Sequence, residues 1–170
     1  MVLKNLAIND ILATNHRTKT RFGKESTLKT KIVMRPIEDN GNLFGSLCVC
    51  LTERCNMHCA YCSRNCDLRH NESLPLVTVK RVIDFFNQKS PDKVKYIQLT
   101  GGEIFLFDNL YPVIEYAIKK GFVCRLQTNG VFLEKAIKDR PDIFSQRAVV
   151  IKVSLDGWNE RTNSYYRDGK

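Results

Sequence analysis

Three cysteines in the run Cys55-Asn56-Met57-His58-Cys59-Ala60-Tyr61-Cys62 constrain this chain more than any other feature. They stand at spacings of four and three residues, directly after the apolar run Leu47-Cys48-Val49-Cys50-Leu51. A strand that empties into a cysteine-bearing loop can hold a metal cluster at the mouth of an α/β fold. Thiolate is the usual protein ligand of iron–sulfur clusters, and three thiolates occupy three corners of a cubane. The fourth iron then stays open to a substrate or cofactor, which implies chemistry rather than electron transfer alone.

Zinc is the competing metal. Cys66 follows at a further four residues, and His58 and His70 lie close in sequence, so a four-ligand set can be assembled. Structural zinc sites usually use two short-spaced pairs separated by a longer insert, whereas here the cysteines crowd into one loop. Cys66 reads as a bystander or a variable contact. A disulfide framework fits less well still. Met1 to Asp10 lacks a basic start followed by an apolar run, so no signal peptide is expected. No stretch approaches the ~20 apolar residues of a membrane span. Clustered cysteines without a secretion signal read as metal ligands in a reducing cytosol.

From Gly45 onward the hydrophobic pattern is regular. Leu47 to Leu51 predicts a first strand, and a helix follows with Val79, Val82, Ile83 and Phe86 at helical spacing, Thr78 as its cap and Ser90-Pro91-Asp92 as its break. Val94 to Leu99 is a second strand, ending at Thr100-Gly101-Gly102-Glu103. A second helix starts at Asp108 or Asn109, carries Leu110, Val113, Ile114, Ala117 and Ile118 on one face, and stops at Gly121. Phe122 to Leu126 is a third strand, closed by Gln127-Thr128-Asn129-Gly130. A third helix covers about Leu133 to Lys138, with Pro141 beyond it, and Ala148 to Leu155 is a fourth strand.

Strands alternating with amphipathic helices predict parallel βαβ units. Right-handed crossovers bring the four strand C-termini to one edge, where α/β folds build their sites. Each candidate motif falls at such an end. Ser154 and Asp156, placed two apart on the fourth strand, point the same way. Cys48 and Cys50 share one side of the first strand, and with Cys124 they are assigned to packing. Trp158, Tyr165 and Tyr166 read as surface or packing residues.

Cys55-x3-Cys59-x2-Cys62, with Tyr61 before the last cysteine, resembles the signature loop of the radical S-adenosylmethionine superfamily. Thr100-Gly101-Gly102-Glu103 resembles its second motif, and Ser154-Leu155-Asp156-Gly157 a third, common among the SPASM-type members that modify peptides and proteins; Arg167-Asp168-Gly169 follows it. The match covers about residues 46 to 168. The resemblance implies a [4Fe–4S] cluster on Cys55, Cys59 and Cys62, with S-adenosylmethionine chelating the open iron. It implies reductive cleavage to a 5′-deoxyadenosyl radical that abstracts hydrogen from a peptide or protein substrate, and an electron donor such as a flavodoxin or ferredoxin. By the same resemblance Tyr61 packs near the adenine, Gly101 and Gly102 let the cofactor approach closely, and Glu103 receives its ammonium group. Ser154 and Asp156 are assigned to ribose hydroxyls or the methionine carboxylate, with Gln127 and Asn129 as further cofactor contacts. Asp156-Gly157 reads equally as a plain turn.

The superfamily core is a partial (β/α)6 barrel, and this chain holds about four of its strands; the expectation is a core over 46–170, incomplete at the C-terminus, behind an extension over 1–45. In that extension Leu3, Leu6, Ile8, Ile11 and Leu12 fit a short helix loosely, and Asp39-Asn40-Gly41-Asn42 is a turn signal. The net charge of +9 is uneven. Residues 1 to 35 hold eight Lys and Arg against Asp10 and Glu25, which reads as a solvated basic lead-in or a site for an acidic partner. With Phe22 as its one aromatic, nucleic-acid stacking is not supported. Two rivals stand beside the main reading. One is a glycyl-radical activating enzyme, which shares the cysteine loop. The other is a non-catalytic domain that binds an iron–sulfur cluster or zinc without cleaving the cofactor.

Overall fold

A computed structural model describes residues 32–39, 42–90 and 95–167. The helix expected near the N-terminus lies outside them. Five strands form one sheet in chain order: β1 (Ile32–Asp39), β2 (Asn42–Thr52), β3 (Lys95–Gly101), β4 (Phe122–Thr128) and β5 (Val149–Val153). β1 runs antiparallel to β2, and β2 to β5 are mutually parallel. The parallel α/β sheet is the one that the alternation predicts. The added strand is not: the sheet begins at Ile32, inside the stretch read as extension. Asp39 pairs with Asn42, so the chain reverses across the turn signal, whose Asn40 and Gly41 are outside the described residues.

Helices cross between the parallel strands: α1 (Leu76–Lys89), α2 (Leu110–Lys119), α3 (Leu133–Asp139) and α4 (Pro141–Phe144), with a fifth, α5 (Glu160–Arg167), after β5. The apolar stripe of α1 and that of α2 are buried, Val79, Ile83, Val113, Ile114 and Ala117 completely. They pack against the strand positions of matching parity, Leu47, Val49 and Leu51, then Ile97 and Leu99, then Cys124 and Leu126. Each of the Val, Leu and Ile side chains among them contributes about 1.5–3 kcal/mol by leaving water. Phe86 of α1 meets Phe122 of β4 with ring centroids 5.9 Å apart. Asp84 on α1 accepts from the Tyr116 hydroxyl (2.8 Å) and pairs with Lys120 (2.7 Å), tying the two helices together.

Several boundaries shift for local reasons. Pro75 precedes α1 and Thr78 sits inside its first turn rather than capping it. Gly121 ends α2 at φ +82°, a conformation that costs glycine little. Pro141 does not merely follow α3 but opens α4, where its missing N–H is no loss. β5 stops at Val153, so Ser154 and Asp156 lie in the loop beyond it and strand alternation does not orient them. No helix of the described residues is long and apolar enough to cross a membrane.

The opposite face of the parallel strands carries no helix-facing apolar row. Its positions are Ser46, Cys48 and Cys50, then Tyr96, Gln98 and Thr100, then Val123, Arg125 and Gln127, then Val150 and Lys152, and Gln98 Nε2 donates to Gln127 Oε1 across it (2.8 Å). All of them are half-buried or exposed.

Candidate cluster and cofactor site

The cysteine loop leaves β2 at its C-terminal end and is held from several sides. The Cys55 amide donates to Asp67 O (3.1 Å), the Ala60 amide to Tyr166 O of α5 (3.1 Å), and Asn129 Nδ2 to Asn56 Oδ1 (2.8 Å). The end of β3 continues the ladder into the loop: Gly102 N donates to Thr52 O and Glu103 N to Arg54 O, both at 2.8 Å. This contact explains the glycine pair. A Cβ on Gly101 would stand 2.3 Å from Thr52 O, and one on Gly102 2.1 Å from Arg54 O, closer than any side chain tolerates. The glycines admit the backbone of β2 and the loop start, while their own atoms still line the cavity described next.

Cys55, Cys59 and Cys62 line one cavity of about 300 Å³ over the strand ends. Tyr61, Gly101, Gly102, Gln127, Asn129 and Ser154 line it too, so the sheet edge brings together most of the residues singled out in the sequence. Glu103 and Asp156 are not in that lining. Glu103 is fully buried, and its carboxylate accepts from Thr128 Oγ1 (2.8 Å), Asn129 N (2.8 Å) and Phe105 N (3.2 Å). It therefore braces the end of β4 rather than presenting oxygens to the cavity. Asp156 accepts from the Tyr61 hydroxyl and from Arg167 Nη1 (3.1 Å).

Arg167 is the residue that the sequence motifs pass over. It is buried, lines the cavity from the end of α5, donates from Nη1 to Ser154 O (2.7 Å), and leaves Nε buried without a hydrogen-bond partner. Arg64 also lines the cavity, and its Nη1 is buried and unpartnered. The unsatisfied N–H donors of Arg167 and Arg64 beside three thiols mark a place for anionic groups, because a buried donor without an acceptor is costly. The one sequence signal for Arg167 is its position in the stretch after Ser154-Leu155-Asp156-Gly157; nothing local says that it returns to the cavity.

The thiols differ in environment. Burial pushes Cys55 and Cys59 above the ordinary thiol range, with the Arg167 guanidinium drawing Cys59 partly back. At Cys62 burial acts upward too, but amide hydrogen bonds from Cys66, Arg64 and Asn65 outweigh it and hold the thiol low. Cys66 is buried against Cys62 and pushed up to about 12, first by burial and then by the neighbouring charge. Met57 N and Cys66 N point at the sulfurs of Cys55 (3.4 Å) and Cys62 (3.5 Å), the kind of hydrogen bond that tunes cluster potentials. Tyr61 is raised to about 12 by burial and by its bond to Asp156.

Thiol spacing bears on the choice of metal. Among the described residues, no three of these cysteines bring their sulfurs within 4.8 Å of one another; Glu53, His70 and Glu72 form a group that close, outside the cavity lining. A tetrahedral zinc with bonds of ~2.3 Å would hold its sulfurs roughly 3.8 Å apart. The wider set suits a body larger than one ion. A [4Fe–4S] cluster fits the residues present: three thiols, sulfur-directed amides, and open guanidinium donors beside them.

The loop is also stapled at its far end. Asp67 bridges to Arg54 in backbone register, and its carboxylate accepts from the Arg69 amide (2.7 Å) and Nε (2.9 Å). The Arg69 side-chain bonds hold this carboxyl at about 2, below an ordinary 3.8. A depressed folded-state value stabilises the fold above the unfolded value, and the gain is lost as pH falls through the folded one. Stability followed by circular dichroism should therefore decline as pH drops from about 4 to about 2. Asp67→Asn should flatten that part of the profile; an unchanged slope would assign the acid sensitivity elsewhere.

Residues 49–170 match the family model described as the radical SAM superfamily. The antilisterial bacteriocin subtilosin biosynthesis protein AlbA of Bacillus subtilis is 28% identical over 120 residues, 71% of this chain and 26% of that protein. An S-adenosylmethionine-dependent nucleotide dehydratase of Selenomonas ruminantium is 30% identical over 112 residues, covering 66% and 39%. A GTP 3′,8-cyclase of Aliarcobacter butzleri is 30% identical over 128 residues, covering 74% and 39%. The chain spans between 26% and 39% of the length of these relatives.

Proposed function

This chain belongs to the radical S-adenosylmethionine superfamily, and on that premise we propose that it is the cluster- and cofactor-binding part of an enzyme that removes hydrogen from a peptide or protein substrate. Members of the superfamily bind a [4Fe–4S] cluster and S-adenosylmethionine. The observation that carries the reading is the set of three thiols in one cavity with the ends of the parallel strands. The chemistry that the bound pair supplies is reductive cleavage of S-adenosylmethionine followed by hydrogen-atom abstraction.

The chain's own groups supply the rest. Cys55, Cys59 and Cys62 would hold the cluster. Arg167, fixed by Ser154 O and Asp156, offers its open Nε to a carboxylate of the cofactor. Gln127, Asn129 and Ser154 give polar contacts over the strand ends, and Gly101 and Gly102 keep the floor of the cavity free of side chains. Tyr61, held by Asp156, stands at the rim as a ring for the adenine. Glu103 acts at one remove, as a positioning residue for Asn129. The peptide substrate is supported by Ser154-Leu155-Asp156-Gly157 and by a relative named for bacteriocin biosynthesis; relatives named for nucleotides support the alternative of a phosphorylated small molecule. A flavodoxin or ferredoxin in a reducing cytosol is the electron donor we propose.

The test is electron paramagnetic resonance on protein reconstituted anaerobically with iron and sulfide, then reduced. A [4Fe–4S] signal that shifts on adding S-adenosylmethionine is the expected outcome. A cluster indifferent to the cofactor would leave the non-catalytic reading. Bound zinc and no cluster would overturn the assignment of the loop.

A further inference from the structure

The sheet face that no helix covers among the described residues runs directly into the cluster cavity, because Thr100 and Gln127 belong to both. Arg125 is the preceding residue of the same parity on β4, roughly 7 Å from Gln127 along the strand. Lys152 on β5 lies beside Gln127 in register, and Arg125 lies beside Gln98. Both cations are exposed and, among the described residues, neither is in an ion pair. No position on this face of the four parallel strands is a carboxylate.

The guanidinium of Arg125 is not loose. It stacks over the Tyr96 ring with 4.4 Å between its carbon and the centroid, which orients the planar fork and limits the entropy lost on binding. Asp156 is already engaged by Tyr61 and Arg167 and so does not neutralise these two. A face with two positive groups, one of them pre-oriented, and no acid on the parallel strands complements negative charge.

Resting on the reading above, we propose that Arg125 and Lys152 form the anion-recognising part of the substrate site, so that the substrate bears a phosphate or carboxylate beside the carbon that loses hydrogen. Hydrogen abstraction needs a fixed donor carbon, and a two-point ionic anchor one strand-step from the cavity provides that positioning.

Titration calorimetry of the full chain with inorganic pyrophosphate and, separately, with citrate tests this. Either anion should bind with 1:1 stoichiometry and weaken with added salt; pyrophosphate alone would assign a phosphorylated substrate, citrate alone a carboxylate. Affinity should fall about tenfold in Arg125→Gln and further in the Arg125→Gln/Lys152→Gln double variant, as lost charged hydrogen bonds imply. Without any substitution, the bound anion should protect Arg125 from phenylglyoxal, read by mass spectrometry. Failure of both anions to bind, binding unchanged in the double variant, or an unprotected Arg125 would overturn the proposal. The cofactor-dependent resonance shift should survive in both variants. Its absence from the unsubstituted protein would sink the enzyme reading, while calorimetry on cluster-free protein still decides the anion site.

Discussion

Replacing Cys59 with alanine should abolish the cluster. With two of three thiolates left, the cavity has no third corner to offer, and Cys66 does not substitute. It is buried against Cys62 and stands outside the four- and three-residue spacing. Iron and sulfide bound after anaerobic reconstitution should fall from about four of each per chain to near zero, with the reduced resonance signal and the response to S-adenosylmethionine lost together. The fold should persist, because Cys59 is half-exposed and takes no part in the strand ladder. Full cluster content in the variant, or retained cofactor cleavage, would show that the ligand set has been misassigned.

Replacing Glu103 with glutamine should lower stability by about 3 kcal/mol, the scale for breaking a buried charged hydrogen-bond set. The carboxylate accepts from three donors, and no exposure to water offsets their loss. An amide can still accept on one oxygen, but its NH2 must then face a backbone donor, the Phe105 amide on one side or the Asn129 amide on the other. For a chain of this size that cost corresponds to a melting temperature lower by roughly 6–12 °C. The measurement is thermal unfolding of cluster-free protein, where no cofactor contributes. A normal melting temperature combined with a lost response to S-adenosylmethionine would instead give Glu103 the direct role at the cofactor's ammonium group that the motif suggests.

The alternation of apolar residues was enough to find the four parallel strands and three of the helices. Burial in a sheet covered on one face follows a period of two, and in a covering helix a period near 3.6. Leu47, Val49 and Leu51, or Val113, Ile114 and Ala117, carry that pattern locally and need no partner to be read. The hairpin strand β1 escaped because Ile32-Val33-Met34 are consecutive apolar residues without alternation and Pro36 interrupts the run. α5 escaped because Glu160 to Arg167 has few apolar residues; its start is set by Asn159, whose Oδ1 accepts from Thr162 N (2.9 Å).

The site divides the same way. Cysteine spacing and the placement of each motif at a strand end are local facts, and from them the sequence by itself determined the family, the candidate thiols and the edge of the sheet where they gather. What each polar group touches depends on segments far apart in the chain. Only the tertiary structure decided that Glu103 turns inward to Thr128 and Asn129, that Gly101 and Gly102 make room for backbone, and that Arg167 comes back beside Cys59. The physical reason is that spacing encodes which face of an element a residue occupies, whereas hydrogen-bond partners and charge neighbours are chosen by packing between elements.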